Sequence, residues 1–195
     1  VADEAAVFCE PLAAALQVPQ LLHLRPADRV LVVGAGRLGQ LIARVLRLAG
    51  VELAVVARHA HQRTRLAQAG ISAIAEDAVA PSGYDHVVEA TGAAGGFELA
   101  RQAVRPRGTL CLKSTFRGRT PVDLASLVVD EIHLVGSRCG PFPAALRLLE
   151  QGLVDPTPLI DLRLPLRRGI EGVARAGESG ILKVLFDCAL PSDAG

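Results

Sequence analysis

Short apolar runs alternate with amphipathic segments over most of the chain. The first two runs are unbroken aliphatic stretches, as expected for strands that are covered on both faces. Six runs are predicted to be strands: Val30–Val33, Leu53–Ala57, Ile71–Ile74, His86–Ala90, Thr109–Lys113 and Ile132–Val135. Helices are predicted between them at Leu38–Ala49, Arg63–Ala69 and Phe97–Val104. This alternation predicts an α/β protein with a doubly wound parallel sheet.

The segment Leu38–Ala49 has the clearest helical pattern. Its apolar residues recur on one face at helical spacing, whereas Arg44 and Arg47 are predicted to point outward. Gly50 is expected to end the helix.

A glycine-rich turn joins the first predicted strand to this helix, and its sequence is Gly34-Ala35-Gly36-Arg37-Leu38-Gly39. In a dinucleotide site, Gly34 allows the sharp turn, Gly36 lets the backbone approach a pyrophosphate, and Gly39 lets helix and strand pack closely. The free N–H groups at the helix start are expected to hold the phosphates. The motif lies between a strand and a helix, which favours a Rossmann-type dinucleotide site over a glycine-rich turn that binds nothing.

Arg58 follows the second predicted strand, 19 residues beyond Gly39, where NAD-binding chains normally carry an acidic residue for the adenosine ribose. A carboxylate about 4 Å from a 2′-phosphate would be repelled by about 4 kcal/mol per unit charge at an effective dielectric constant of about 20. Arginine instead binds a phosphate through two parallel hydrogen bonds. The sequence therefore favours NADP over NAD, with His59 and Arg63 completing a basic pocket. A solvated basic loop is the alternative.

Three later strand ends are expected at the same carboxyl edge of the sheet. They are Ala90-Thr91-Gly92, Lys113-Ser114-Thr115 and Gly136-Ser137-Arg138-Cys139. Their small or polar residues could present backbone groups to a ribose or a carboxamide, and ordinary turn chemistry is the alternative. His59 and His61 form a His-x-His pair, but no third ligand is near in sequence, so surface or ribose contacts are favoured over a metal site.

Beyond Gly140 the alternation of strands and helices stops. A predicted helix from about Pro143 to Gln151 is followed by a turn-rich stretch and by apolar runs at Leu162–Leu166 and Ile181–Phe186. We therefore divide the chain into an N-terminal helix and linker (1–24), a dinucleotide-binding Rossmann domain (25–155) and a C-terminal return segment (156–195).

Composition excludes several classes of partner. The 195 residues include 21 Lys+Arg and 20 Asp+Glu, and the scattered basic residues give no footprint for nucleic acid. The longest charge-free run, Pro11–Leu24, is shorter than the roughly 20 apolar residues of a spanning helix, so no membrane is expected. The N-terminus carries Asp3 and Glu4 where a secretory signal would be basic, and the four cysteines lack paired spacing. These features predict a cytoplasmic protein.

Several segments together resemble the coenzyme-binding half of the medium-chain dehydrogenase/reductase family, which contains zinc-dependent alcohol, polyol and threonine dehydrogenases. Their order and spacing match over nearly the whole chain. Besides the glycine motif, the segments are Glu10-Pro11-Leu12-Ala13, Val87–Gly92, Arg107–Thr115, Leu134–Gly140 and the closing Leu182–Phe186.

The resemblance implies that the chain binds a coenzyme, NADP or NAD. The residues implied to contact it come from the glycine motif and from the ends of the strands: Gly34, Gly36, Arg37, Leu38, Gly39, Arg58, Thr91, Gly92, Lys113, Ser114 and Arg138. It also implies that Glu10 stands where a residue approaches or ligates the catalytic zinc. One carboxylate cannot hold zinc, which needs three or four ligands, so zinc is expected only in a full-length enzyme. A helix carboxylate that faces solvent is the alternative role of Glu10.

Members of that family begin with a catalytic GroES-like domain, which is not recognisable before the starting Val1. We therefore expect about half of an enzyme, which positions the nicotinamide for hydride transfer with a small alcohol or carbonyl substrate. No catalytic residue is predicted within the chain, which is expected to be inactive alone. A stand-alone dinucleotide-binding or sensing module is the alternative. A methyltransferase using S-adenosylmethionine is disfavoured by Arg58, because such enzymes usually carry an acid there.

An excised half would expose surfaces that the other half normally covers. Seven C-terminal apolar residues are expected to form such a patch, with self-association or disorder as the consequence: Leu162, Leu164, Leu166, Ile181, Leu182, Val184 and Leu185. Alternatively, the sixth predicted strand, over Glu131–Val135, pairs with its copy in a second subunit. A homo-oligomer is therefore expected.

Overall fold

Six strands form one parallel sheet at the centre of the molecule. The computed structural model describes residues 1–115 and 121–188. The strands are β1 Arg29–Val33, β2 Glu52–Val56, β3 Ser72–Ile74, β4 Tyr84–Glu89, β5 Val104–Leu112 and β6 His133–Gly136. Their order is β3-β2-β1-β4-β5-β6, with every neighbouring pair parallel. The predicted doubly wound α/β fold is confirmed.

Helices cover both faces of this sheet and extend beyond it. They are α1 Asp3–Ala6, α2 Cys9–Leu22, α3 Arg37–Arg47, α4 Ala60–Gln68, α5 Ala94–Ala103, α6 Leu124–Val129, α7 Phe142–Glu150 and α8 Gly169–Ala176. Short 3-10 helices cover Glu76–Ala78, Thr157–Leu159 and Leu166–Arg168. In the described ranges, no helix has both the length and the apolar character needed to cross a membrane.

The two faces of the sheet bury different residues of the same strands. In β1, Val30 and Val32 pack with α2, α3 and α7, whereas Leu31 and Val33 pack with α5 on the other face. Each such buried aliphatic side chain contributes about 2 kcal/mol to folding. The first core also contains Leu182, so the N-terminal helix, the sheet and the C-terminal segment share one core.

All six predicted strands are present, and most of their ends shift by one or two residues. The largest difference is β5, which begins at Val104 although the sequence predicted helix up to that residue. Val104 pairs with Tyr84 before the register between β4 and β5 shifts. Pro106 and Gly108 therefore lie inside an irregular strand.

Helices α6 and α8 were missed by the sequence analysis. The sequence of α6, Leu-Ala-Ser-Leu-Val-Val, is mostly apolar and has no helical alternation to reveal it. The sequence of α8 begins with glycine and contains a second one at Gly172. Gly172 is buried against the ring of Phe186, so tertiary packing explains this glycine within the helix.

The prediction that Arg44 points outward is wrong. Its side chain is buried on α3, where the guanidinium donates to the main-chain and side-chain oxygens of Gln40 and to the carbonyl of Arg65. Burial lowers the pKa of Arg44, and the charge of Asp155 opposes that effect. These hydrogen bonds replace water around the charged group, which explains how an arginine is accommodated on the packed face.

The C-terminal segment contains a second sheet of two strands. Strands β7 Leu162–Pro165 and β8 Val184–Asp187 pair in parallel, and α8 packs on both. The expected apolar patch is only partly present, because Leu164 and Leu182 are buried. Up to residue 188, the large apolar side chains of this region that are exposed are those of Leu166, Ile170 and Val173.

The turn after β1 brings helix α3 unusually close to the strand. Gly34 has a φ of +108°, a conformation that favours glycine. A Cβ atom on Gly39 would overlap the carbonyl oxygen of Gly34. In contrast, no described atom lies within 4 Å of a Cβ built on Gly36. The first and third glycines of the motif are therefore required by the fold, whereas the second is not.

We expect Gly39→Ala to lower the free energy of unfolding by about 2–3 kcal/mol, because the methyl group must push the helix away from the strand. Gly36→Ala is the matched control and should cost less than about 1 kcal/mol, the scale of losing a good helix N-cap residue. Urea unfolding followed by circular dichroism measures both values. Equal losses in the two variants would contradict the packing explanation.

Candidate coenzyme site

A cavity of about 210 Å³ opens at the carboxyl edge of the sheet, beyond the ends of β1, β2 and β4. Residues from four separate loops line it, among them Gly34, Gly36, Arg58, His59, Glu76 and Thr91. The cavity lies where the strand order reverses between β1 and β4. Ligands of doubly wound sheets bind at this switch point.

The start of α3 forms one wall of the cavity. Gly36 is the N-cap of this helix, and the open space beside it leaves the backbone accessible. The first turn of a helix has N–H groups without intrahelical acceptors, and the helix dipole makes this end positive. The side chain of Arg37 turns away and donates to the carbonyl of Ala176, while Leu38 lines a neighbouring apolar cavity. Neither side chain lines the cavity beside Gly36, so any contact of Arg37 or Leu38 with a ligand there would be through the backbone.

Arg58 lies in the cavity, but it has a partner that the sequence did not reveal. Its Nε atom is 2.5 Å from Oε1 of Glu76, which follows β3. The two side chains remain 61% and 44% exposed, so solvent and ligands can reach both. The pocket thus presents a guanidinium and a carboxylate side by side.

The other two residues of the predicted basic pocket have different environments. His59 lines the cavity, and its N–H donates to the side chain of Gln62 across the first turn of α4. Arg63 donates to the carbonyls of Ala57 and Arg58 at 3.0 and 2.9 Å. The guanidinium of Arg63 therefore supports the loop after β2, and Arg63 is not among the residues that line the cavity.

His59 and His61 are stacked, with ring centroids 5.5 Å apart. Burial lowers the pKa of His61, and the neighbouring charges of His59 and Arg65 lower it further. Across residues 1–115 and 121–188, no three His, Cys, Asp or Glu side chains come together as metal ligands. The stacked pair alone is one ligand short of a metal site.

The loop after β4 is held by its own hydrogen bonds. The buried carboxylate of Glu89 accepts from the N–H of Thr91 at 2.7 Å and from its hydroxyl at 2.6 Å. Ser114, which follows β5, accepts from the N–H of Gly92 at 2.8 Å. The strand ends that contain Thr91, Gly92 and Ser114 are therefore joined, as the strand order requires.

Lys113 is buried at the end of β5. Its ammonium group donates to the hydroxyl of Ser137 at 3.1 Å and to the carbonyl of Arg138, which joins the ends of β5 and β6. Burial lowers the pKa of Lys113, and this effect is opposed by nearby groups that include Glu10. Burial also raises the pKa of the Cys111 thiol to about 11.

Glu10 lies exposed in the first turn of α2 and lines the apolar cavity that also contains Leu38. No group of three or more potential ligands forms among the described residues, so they do not by themselves fit a zinc ion.

Two of these features escaped the sequence analysis. Glu76 follows a strand of only three residues, and nothing in the sequence joins it to Arg58. A parallel alignment of the predicted second and third strands would have placed both residues at one edge, which was the available signal. The burial of Lys113 was equally hidden, because its acceptors follow a different strand.

Comparison with known proteins supports the resemblance found in the sequence. Residues 38–151 match the zinc-binding dehydrogenase family. D-arabinitol dehydrogenase 1 of Uromyces fabae is 30% identical in an alignment of 174 positions, which covers 78% of this chain and 49% of that protein. The chain spans about half the length of the curated relatives it matches.

Solved structures have the same fold. Alcohol dehydrogenase TADH from Thermus sp. ATN1 superposes with a TM-score of 0.87 at 27% identity, over 95% of this chain and 59% of that chain. A protein from Sinorhizobium meliloti 1021, solved bound to NADP, gives a TM-score of 0.85 at 23% identity over 92% and 58%. Because the family match covers more than half of its residues, the chain belongs to the zinc-binding dehydrogenase family.

Proposed function

We propose that this chain binds a nicotinamide dinucleotide across the carboxyl edge of its sheet, and that it favours NADP over NAD. The observation that carries the proposal is the open backbone at Gly36, which faces the same cavity as the guanidinium of Arg58. A pyrophosphate needs the open backbone, and a 2′-phosphate needs the guanidinium.

The cavity suggests how the coenzyme would lie. The pyrophosphate would contact the backbone at the start of α3, with the adenosine half towards Arg58 and His59. A dinucleotide crosses the switch point of such a sheet, so its nicotinamide half would lie towards the ends of β4, β5 and β6. Thr91, Gly92, Ser114 and Arg138 follow those strands and would surround it, while the ammonium group of Lys113 stays bonded to Ser137 and Arg138.

We further propose that the chain is the coenzyme-binding half of an oxidoreductase that acts on a small alcohol or carbonyl compound. The curated relatives include a D-arabinitol dehydrogenase, which supports a polyol as the substrate class. The coenzyme, when bound, supplies or accepts hydride. The residues of this chain would orient the nicotinamide and exclude water from one of its faces.

The four thiols support a reducing compartment. Cys9, Cys111, Cys139 and Cys188 are all unpaired, and two of them are exposed. Exposed unpaired thiols persist best where thiols are kept reduced, which favours the cytoplasm.

Titration with NADPH and NADH, followed by nicotinamide fluorescence, tests the coenzyme assignment. We expect Arg58→Asp to weaken NADPH binding at least about tenfold, because attraction for the 2′-phosphate becomes repulsion, while NADH binding is retained. Arg147→Asp is the control, since Arg147 is an exposed arginine of α7. Gly36→Ala should weaken both coenzymes without unfolding the chain. Equal affinities of wild type and Arg58→Asp for NADPH would contradict the 2′-phosphate pocket.

We also propose that the chain forms a homo-oligomer through an edge surface made of Leu124, Val128, Val129 and Leu134. These residues of α6 and β6 are all exposed, and the side chain of Val129 is 79% exposed. Strand β6 is the last strand of the sheet, and within residues 1–115 and 121–188 the side of its backbone away from β5 pairs with no other strand. Apolar side chains beside an unpaired edge fit a second copy of the same surface.

Sedimentation equilibrium tests this interface. We expect Leu134→Lys to weaken self-association at least about tenfold, because a charge is then placed at the pairing edge. Val173→Lys is the matched control, because Val173 is 69% exposed on α8, in the C-terminal segment. A monomeric wild type would contradict self-association, and dissociation by Val173→Lys alone would assign it to the C-terminal segment.

A further inference from the structure

We infer that Glu76 binds the adenosine ribose of NAD(H), so that the chain uses both coenzymes and Glu76 limits its preference for NADP(H). This inference rests on the proposed coenzyme site and assigns a specificity-determining residue within it. NAD-binding sites of this type normally take the ribose carboxylate from the end of the second strand. Here that position is Arg58, and the carboxylate comes from the segment that follows the third strand.

The fold brings the two residues together through the pairing of β2 with β3. The strands are parallel, with Val56 opposite Ile74, and the N–H of Ala57 donates to the carbonyl of Ile74 at 3.1 Å. Because both strands end at the same edge, Arg58 and Glu76 emerge side by side. Both line the cavity that also contains Gly36.

The ion pair leaves each partner able to meet a ligand. Glu76 contacts Arg58 through Nε, and within residues 1–115 and 121–188 the two terminal nitrogens of Arg58 have no protein acceptor. A guanidinium can therefore keep this carboxylate and still donate to a phosphate. An ionised carboxylate only accepts hydrogen bonds and has several lone pairs, so Glu76 can also accept from ribose hydroxyls.

The charges of the pair determine how each coenzyme is bound. The 2′-hydroxyl of NAD(H) donates to a carboxylate and carries no charge, so it fits Glu76 while the ion pair is kept. The 2′-phosphate of NADP(H) gains from Arg58 but is repelled by Glu76 at close range. The carboxylate therefore favours one coenzyme and opposes the other, which distinguishes it from a residue that only supports the fold.

Glu76→Gln removes the charge but keeps the shape of the side chain. We expect the Kd for NADPH to fall about tenfold and the Kd for NADH to rise about tenfold, each equivalent to about 1.4 kcal/mol. Asp77→Asn is the matched control. Asp77 is the exposed neighbour of Glu76 and is not among the cavity residues, so its charge is removed without touching the pocket. Circular dichroism establishes that both variants fold like the wild type.

Displacement of the bound coenzyme by 2′,5′-ADP and by ADP, measured separately, gives a second readout. The affinities of these two nucleotides do not depend on the nicotinamide half. Glu76→Gln should tighten binding of 2′,5′-ADP and weaken binding of ADP, whereas Asp77→Asn should change neither. Unchanged NADH and ADP affinities in Glu76→Gln would overturn the inference while leaving the coenzyme site intact. A wild-type chain that binds neither coenzyme would instead overturn the coenzyme site itself, and this inference with it.

Discussion

The close packing of α3 on the end of β1 is the constraint on which the site depends. The carbonyl of Gly34 leaves no room for a side chain at Gly39, so the helix begins almost in contact with the strand. This contact directs the first turn of α3 towards the carboxyl edge of the sheet. The N–H groups and the positive end of the helix dipole are thereby presented at the switch point, with Gly36 leaving space beside them.

Parallel strand order then determines which side chains share the cavity. Because the strands run in the same direction, the residues that follow β1, β2, β3 and β4 all emerge at one edge. Arg58, Glu76 and Thr91 are far apart in sequence and meet only for this reason. Thr91 donates to the carboxylate of Glu89, and Lys113 donates to the loop after β6, and these hydrogen bonds fix the other strand ends.

Sequence reasoning was sufficient wherever a feature depended on local pattern. The alternation of apolar runs predicted all six strands of the sheet, and the spacing of the glycines predicted the turn and the helix start. It was insufficient where a charged side chain found a partner on another element. Arg44 was predicted to face solvent because arginines usually do, yet the carbonyl of Arg65 and the oxygens of Gln40 satisfy it in the core. Only the three-dimensional pairing of elements identifies such acceptors.

The cationic side chains at the two ends of the site, Arg58 and Lys113, have different partners. This difference distinguishes a group that can contact a ligand from a group that holds the fold together. Arg58 is balanced by the exposed carboxylate of Glu76, and both groups can exchange their contacts for those of a ligand. Lys113 is buried, and its hydrogen bonds go to the neutral oxygens of Ser137 and Arg138. Desolvation of that ammonium is offset only while β5 and β6 keep their register. Under the proposed function, the charge near β2 selects the ligand, whereas the charge after β5 holds the edge of the sheet together.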